Sequence, residues 1–97
     1  MKFSIDKQEK YTLLSLQEEK LDTLIAPDLK SEFITLNAEG ITNIILDLSS
    51  TKYVDSSGLS SILVANRLCE NSNGFLVLSR ITDHVMKLLK ISQLDSV

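Results

Sequence analysis

The heptapeptide VDSSGLS, Val54 to Ser60, sets two serines between an aspartate and a glycine, where an apolar run gives way to a helical pattern. Three chemistries fit such a stretch: a nucleophile turn, a helix cap, or a hydroxyl presented for another protein to modify. A serine nucleophile on a strand-to-helix elbow wants G-x-S-x-G with a histidine base in reach. Here Val54 and Asp55 stand where the first glycine belongs, and the single histidine, His84, sits beside Asp83 at the start of a later helical segment. The string SSTK, Ser49 to Lys52, has S-x-x-K spacing. That chemistry needs a helical turn to align Ser with Lys, and these residues read as a loop. Metal chemistry is no better supported, because the carboxylates are dispersed and no His/Cys ligand spacing occurs. Gly40, Gly58 and Gly74 are too far apart to cradle a phosphate. The sequence points away from a free-standing enzyme and predicts no cofactor.

The other two readings are compatible with each other. At a helix start, Ser56 or Ser57 can accept the first free N–H groups while Asp55 complements the positive end of the helix dipole. The same position after a strand lies at the carboxyl edge of an α/β sheet, where such folds expose functional groups. A phosphate there is tolerated by the helix itself, whose free N–H groups and dipole favour an anion. Leu59 is expected to be the first core residue of this helix. Gly58, lacking a Cβ, is expected to leave the serines open to an approaching partner.

The flanking chain supplies the elements that would hold this stretch. KFSID and YTLLSL are short, β-rich runs separated by polar KQEK, which predicts two adjacent strands and a turn. QEEKLDTLIA reads as a connector. Pro27 suits the first turn of a helix, where its missing N–H costs nothing. Leu29, Phe33, Ile34, Leu36 and Asn37 give that helix its inward face, and Gly40 its stop. NIILDL, Asn43 to Leu48, is nearly all apolar, as expected of a parallel strand covered on both faces. Leu59, Ile62, Leu63 and Cys69 mark a second helix ending near ENSNG. FLVLS, Phe75 to Ser79, is a further buried strand, and Thr82 or Asp83 caps a third helix through Val85, Met86, Leu88 and Leu89. The order β-β-α-β-α-β-α predicts an α/β fold with a mixed, mostly parallel sheet, right-handed crossovers and an antiparallel first pair.

Residues 1–97 are expected to form one domain, since a chain this short buries roughly 60–70% of its unfolded surface and builds a single core. The formal charge is −3 and the Lys and Arg residues are scattered, so direct nucleic-acid binding is disfavoured. A single cysteine, Cys69, excludes an internal disulfide and reads as a small buried thiol. The N-terminal MKFSIDKQEK lacks the apolar core of a signal peptide, and no run approaches the roughly 18 apolar residues of a membrane span. A cytoplasmic location without membrane insertion is expected.

Read with its flanks, the motif resembles a known family. IILDLSSTKYVDSSGLSSILVANRL, Ile44 to Leu68, is similar to the central segment of the STAS family, specifically the bacterial anti-sigma factor antagonists. Asp47, Tyr53 and the run Asp55-Ser56-Ser57-Gly58-Leu59 fit that pattern without a gap. A second patch, KLDTLIAPDLK, resembles the family's L-D-x-x-x-A-x-x-L segment through Leu21, Asp22, Ala26 and Leu29, while Glu19 and Lys20 replace the small-acidic pair usual before it. The resemblance runs from Lys2 to about Leu94; relatives begin a further strand and closing helix about at QLDSV, and these are expected to be absent here.

It implies phosphorylation of Ser56 by a partner that is both anti-sigma factor and serine kinase, with Ser57 serving local hydrogen bonding. The unphosphorylated antagonist captures that kinase and frees the sigma factor, the phosphorylated one lets go, and a metal-dependent phosphatase of the PP2C type resets the cycle. The implied partner-facing residues are Asp22, Thr23, Asp55, Ser56, Ser57 and Gly58. The alternative is an accessory STAS subunit of a phospholipid-type ABC transporter, docked on its ATPase.

Overall fold

The computed structural model describes residues 1–91. Strands β1 (Phe3–Lys7) and β2 (Thr12–Leu16) form an antiparallel hairpin, in register from Phe3 opposite Leu16 to Lys7 opposite Thr12. A two-residue strand, β3 (Lys20–Leu21), precedes helix α1 (Ala26–Ala38). Then follow β4 (Asn43–Asp47), β5 (Tyr53–Val54), α2 (Ser56–Asn71), β6 (Phe75–Ser79) and α3 (Asp83–Ile91). The main sheet has the order β1-β2-β4-β6, with β4 parallel to both neighbours. This is the mixed, mostly parallel α/β sheet that the sequence predicts. The short β3 and β5 were not anticipated. They pair in parallel, Lys20 with Tyr53 and Leu21 with Val54, as a second small sheet. Positions 92–97, which include the QLDSV stretch where relatives begin a final strand and helix, lie outside the described residues.

Residues paired across a ladder share a face, so the register shows where the core lies. Leu14, Ile44, Leu46 and Leu76 are all buried, in one cluster with Leu29, Phe33 and Leu36 of α1, Ile62, Ala65 and Cys69 of α2, and Val85 and Leu89 of α3. Each of the fully buried leucines contributes about 1.5–3 kcal/mol of transfer free energy. The opposite face carries Leu13, Ile45 and Val77 in register, half-buried or, for Val77, 44% exposed. The apolar composition of β4 therefore does not mean cover on both faces. All three helices bring their apolar stripes to the same cluster, leaving Ile45 on the lightly covered side.

The helices follow local rules with two corrections. In α1 the buried positions are Ala26, Leu29, Phe33 and Leu36, a three-four-three spacing. Ile34, one position past that stripe, is 55% exposed, contrary to expectation. Asn37 does face inward, and its amide donates to the Leu68 carbonyl (3.3 Å) and to Ser72 Oγ (3.0 Å), tying α1 to the end of α2. Gly40, at φ +87°, ends α1 in a Schellman turn, in which its N–H reaches the Asn37 carbonyl and that of Ile41 the Leu36 carbonyl, each at 3.0 Å. Asn73, at φ +62°, ends α2 in the same way. At α3 the cap is Thr82, whose Oγ1 accepts from Val85 N at 3.3 Å, while Asp83 opens the first turn. The second correction concerns α2 and belongs to the site.

Candidate functional site

The small β3–β5 ladder delivers the chain to α2. Val54 is buried opposite Leu21, and Asp55 N donates to the Leu21 carbonyl at 3.2 Å, continuing the ladder past β5. Asp55 is then extended (φ −95°, ψ −174°) and serves as the N-cap, its Oδ1 accepting from Gly58 N at 2.9 Å. The cap is thus the aspartate and neither serine. An extended residue just before the helix can fold its side chain over the third N–H, whereas Ser56 and Ser57 already lie within the first turn.

The other carboxylate oxygen reaches across to the loop after β3. Asp55 Oδ2 accepts from Thr23 N at 3.1 Å and from Thr23 Oγ1 at 3.3 Å. Thr23 Oγ1 also lies 3.3 Å from Ser57 Oγ. Asp22 turns inward on its own loop: its Oδ1 accepts from Leu24 N (3.1 Å) and Ile25 N (3.3 Å), and its carbonyl accepts from Ala26 N at 2.7 Å. That Asx turn does for α1 what its N-cap residue Ile25 does not, since Ile25 offers no side-chain cap. Asp55 therefore ties the loop to the start of α2, and Asp22 fixes the loop's own turn.

Ser56 is the first residue of α2 and is exposed. Among the described residues neither its hydroxyl nor the backbone N–H groups of Ser56 and Ser57 have a hydrogen-bond partner. Gly58 is buried, contrary to the expectation that it opens the site. A Cβ there would lie 2.8 Å from Leu21 Cγ and from Val54 Cγ1, and closer still to the Leu21 carbonyl oxygen. Its missing side chain lets α2 settle on β3 and β5, beneath the serines. The buried stripe of α2 accordingly starts one residue early, at Gly58, Ser61, Ile62, Ala65 and Cys69, and Leu59 is only half-buried. Ser61 Oγ satisfies itself by donating to the Gly58 carbonyl at 2.6 Å. The six residues singled out in the sequence are therefore neighbours: Asp22, Thr23, Asp55 and Ser57 in or beside one hydrogen-bonded loop junction, Ser56 exposed on it and Gly58 below.

Other candidates do not assemble. Lys52 Nζ pairs with Glu19 Oε1 at 3.6 Å on the surface, and His84 is exposed on the first turn of α3. Cys69 is buried, which pushes its thiol pKa up and disfavours the reactive thiolate. Among the described residues no group of three His, Cys, Asp or Glu side chains could hold a metal ion, and no helix is long and apolar enough to cross a membrane. The sequence did not reveal two buried polar supports of the loop before β5. Asp47 accepts from Ser49 N at 2.9 Å and pairs with Arg80 Nε at 3.7 Å, and Thr51 Oγ1 donates to the Glu18 carbonyl at 2.9 Å. An acidic residue ending an apolar strand is the one sequence signal of that arrangement.

The model of the STAS domain family matches residues 2–97. The chain belongs to the STAS domain family. A Bordetella bronchiseptica protein named as an anti-sigma factor antagonist, BtrV, is 28% identical over 92 residues, covering 95% of this chain and 78% of that one. The crystal structure of TM1081 from Thermotoga maritima, also named as an anti-sigma factor antagonist, is 25% identical with a TM-score of 0.85, over 98% of this chain and 81% of that one. The Bacillus cell fate determinant SpoIIAA in its phosphorylated form shares the fold at 22% identity, with a TM-score of 0.77 over 98% and 86% of the two chains. In this STAS domain the D-S-S-G run is the junction just described, with one serine of the pair free and the other engaged.

Proposed function

We propose that this STAS domain is an anti-sigma factor antagonist that captures an anti-sigma factor/serine kinase while Ser56 is unphosphorylated and releases it once Ser56 is phosphorylated. The observation that carries this reading is the Ser56 hydroxyl, exposed at the first position of α2 and free of any partner among the described residues, at a junction held by Asp22 and Asp55. Relatives named as anti-sigma factor antagonists, and a SpoIIAA relative solved in both unphosphorylated and phosphorylated forms, support it.

The physics of the site accommodates the switch. A phosphate on Ser56 adds about −1.5 to −2 charges beside Asp55. Inside the domain the free N–H groups of Ser56 and Ser57 and the helix dipole offset that charge, so the fold persists. Across an interface fitted to a neutral hydroxyl nothing offsets it, and like-charge juxtaposition costs several kcal/mol. Partner-facing roles for Asp22, Thr23, Asp55 and Ser57 follow from their place around Ser56. Gly58 acts from below, through packing. A PP2C-type phosphatase would return the domain to its binding form, and the proposed site of action is the cytoplasm.

The test is incubation of the domain with the anti-sigma factor kinase of the same organism and ATP, followed by phosphopeptide mapping. One phosphate on Ser56 is expected. Phosphate on Ser57 or Ser60 would overturn the site assignment. Absence of both binding and phosphorylation, with capture of a transporter ATPase instead, would favour the accessory-subunit alternative.

A further inference from the structure

The two adjacent serines of the motif differ in one respect that the loop after β3 creates. Ser56 has a free hydroxyl, whereas Ser57 is half-buried with its Oγ 3.3 Å from Thr23 Oγ1. Thr23 Oγ1 in turn lies 3.3 Å from Asp55 Oδ2. The direction of this chain is set at its end. A carboxylate only accepts, so Thr23 spends its single hydroxyl proton on Asp55 and offers Ser57 a lone pair. Ser57 must therefore donate, and its proton is committed to Thr23.

We infer that Thr23 is the positioning residue that selects the phosphate acceptor, holding the Ser57 hydroxyl in a donated bond and leaving Ser56 as the hydroxyl available to a kinase. The inference rests on the proposed phosphorylation of this motif and adds what discriminates within it. In phosphoryl transfer a serine Oγ–P bond forms as the bond between ATP's γ-phosphorus and its bridging oxygen breaks, ADP departs, and the hydroxyl proton passes to a base on the kinase. Ser56 can turn its proton outward without loss. Ser57 would first have to give up its bond to Thr23 and rotate out of a half-buried site. A neutral hydrogen bond is worth about 0.5–1.5 kcal/mol, which alone biases the choice by roughly twofold to tenfold. Burial and the fixed direction of the proton add to that bias.

Thr23→Val removes the hydroxyl at nearly constant shape and keeps the backbone bond from residue 23 to Asp55. The test uses the anti-sigma factor kinase and ATP on five chains: wild type, Ser56→Ala, Thr23→Val, Ser56→Ala with Thr23→Val, and Ser56→Ala with Thr23→Ser. Thr23→Val in the presence of Ser56 reports whether Thr23 also serves kinase capture; loss of Ser56 phosphate on that chain would assign Thr23 to partner binding and overturn the selector role. Wild type is expected to carry phosphate on Ser56, and Ser56→Ala to take phosphate on Ser57 only slowly. The Val double variant is expected to take phosphate on Ser57 at least about twofold faster than Ser56→Ala, and the Ser double variant, which restores the hydroxyl, to fall back to the Ser56→Ala rate. Phosphate on Ser57 in Ser56→Ala at the wild-type rate would overturn the selector role, as would no gain on the Val double variant while Thr23→Val alone is still modified on Ser56. A wild-type chain that takes no phosphate on Ser56 would overturn the phosphorylation reading itself, and the selector with it.

Discussion

Replacing Gly58 with alanine asks whether this glycine serves the partner or the fold. At an exposed helix position the change would stabilise by roughly 0.5–1 kcal/mol, because alanine is the better helix former. Here the added methyl would lie 2.8 Å from both Leu21 Cγ and Val54 Cγ1, against the roughly 3.5–4.0 Å of a relaxed carbon–carbon contact. Rotating a side chain does not relieve it, because the nearest atom is the Leu21 carbonyl oxygen, which also accepts from Asp55 N at 3.2 Å. Moving that carbonyl disturbs the ladder that carries the cap. Overpacking costs about 1–3 kcal/mol, and a weakened hydrogen bond adds about 0.5–1.5 kcal/mol. After subtracting the propensity gain, the net loss is about 0.5–4 kcal/mol, or roughly 2–30 °C in Tm for a domain of this size. Thermal and urea unfolding followed by circular dichroism measure it. Ser60→Ala, on the exposed side of the same turn, serves as the comparison and should be neutral or slightly stabilising. A Gly58→Ala chain as stable as wild type, or more so, would refute the close packing of α2 on β3 and β5.

Other consequences of the site are as direct. Asp55→Ala removes the cap and both Thr23 bonds and should cost about 2 kcal/mol in urea unfolding, whereas Asp55→Asn keeps a competent cap but turns an amide donor toward Thr23 N, and should cost about 1 kcal/mol. Ile62→Ala should lose about 2–5 kcal/mol and Leu59→Ala only about 1–2 kcal/mol, because Ile62 is fully buried and Leu59 is not; equal losses would show that the stripe of α2 is misplaced. Ser56→Ala and Ser56→Asp should each stay within about 0.5 kcal/mol of wild type in stability, since the hydroxyl makes no bond to lose, while kinase capture survives in the Ala chain and weakens in the Asp chain. The Cys69 thiol, with its pKa pushed up by burial, should resist alkylation at neutral pH in the folded chain; because the folded value exceeds the unfolded one, its contribution to stability is present below the ordinary thiol pKa and fades as pH rises through the raised value.

The sequence was most legible where a pattern repeats. The three helices, the four main strands and their order follow from apolar periodicity and from Pro27, Gly40 and Thr82 as punctuation. The D-S-S-G run and the Leu21–Asp22 patch pointed to residues that the fold does bring together. What could not be read was short or non-local. Lys20–Leu21 and Tyr53–Val54 are two-residue strands with no period to detect, yet their pairing sets the height and angle of α2. Gly58 carries no apolar signal, so a helical phase read from Leu59 falls one residue late. The capping role fell to Asp55 and not to the serines because it depends on the extended conformation that the β3–β5 ladder imposes. Ile34 looked apolar and therefore internal, but a lone exposed isoleucine costs little on a surface that is largely apolar in any case. The Asp47–Arg80 ion pair and the Thr51–Glu18 hydrogen bond link segments far apart in the chain, and beyond an acidic residue at the end of an apolar strand local composition carries no trace of them.

One phosphate on Ser56 is expected to change partner affinity without changing the fold. The most direct test is titration calorimetry of the anti-sigma factor kinase with the domain in two forms, unphosphorylated and stoichiometrically phosphorylated on Ser56, at fixed ionic strength. A measurable complex is expected for the first form and at least a roughly hundredfold weaker binding for the second, as several kcal/mol of uncompensated charge requires, with superimposable far-ultraviolet circular dichroism. Equal affinity of the two forms would contradict the switch.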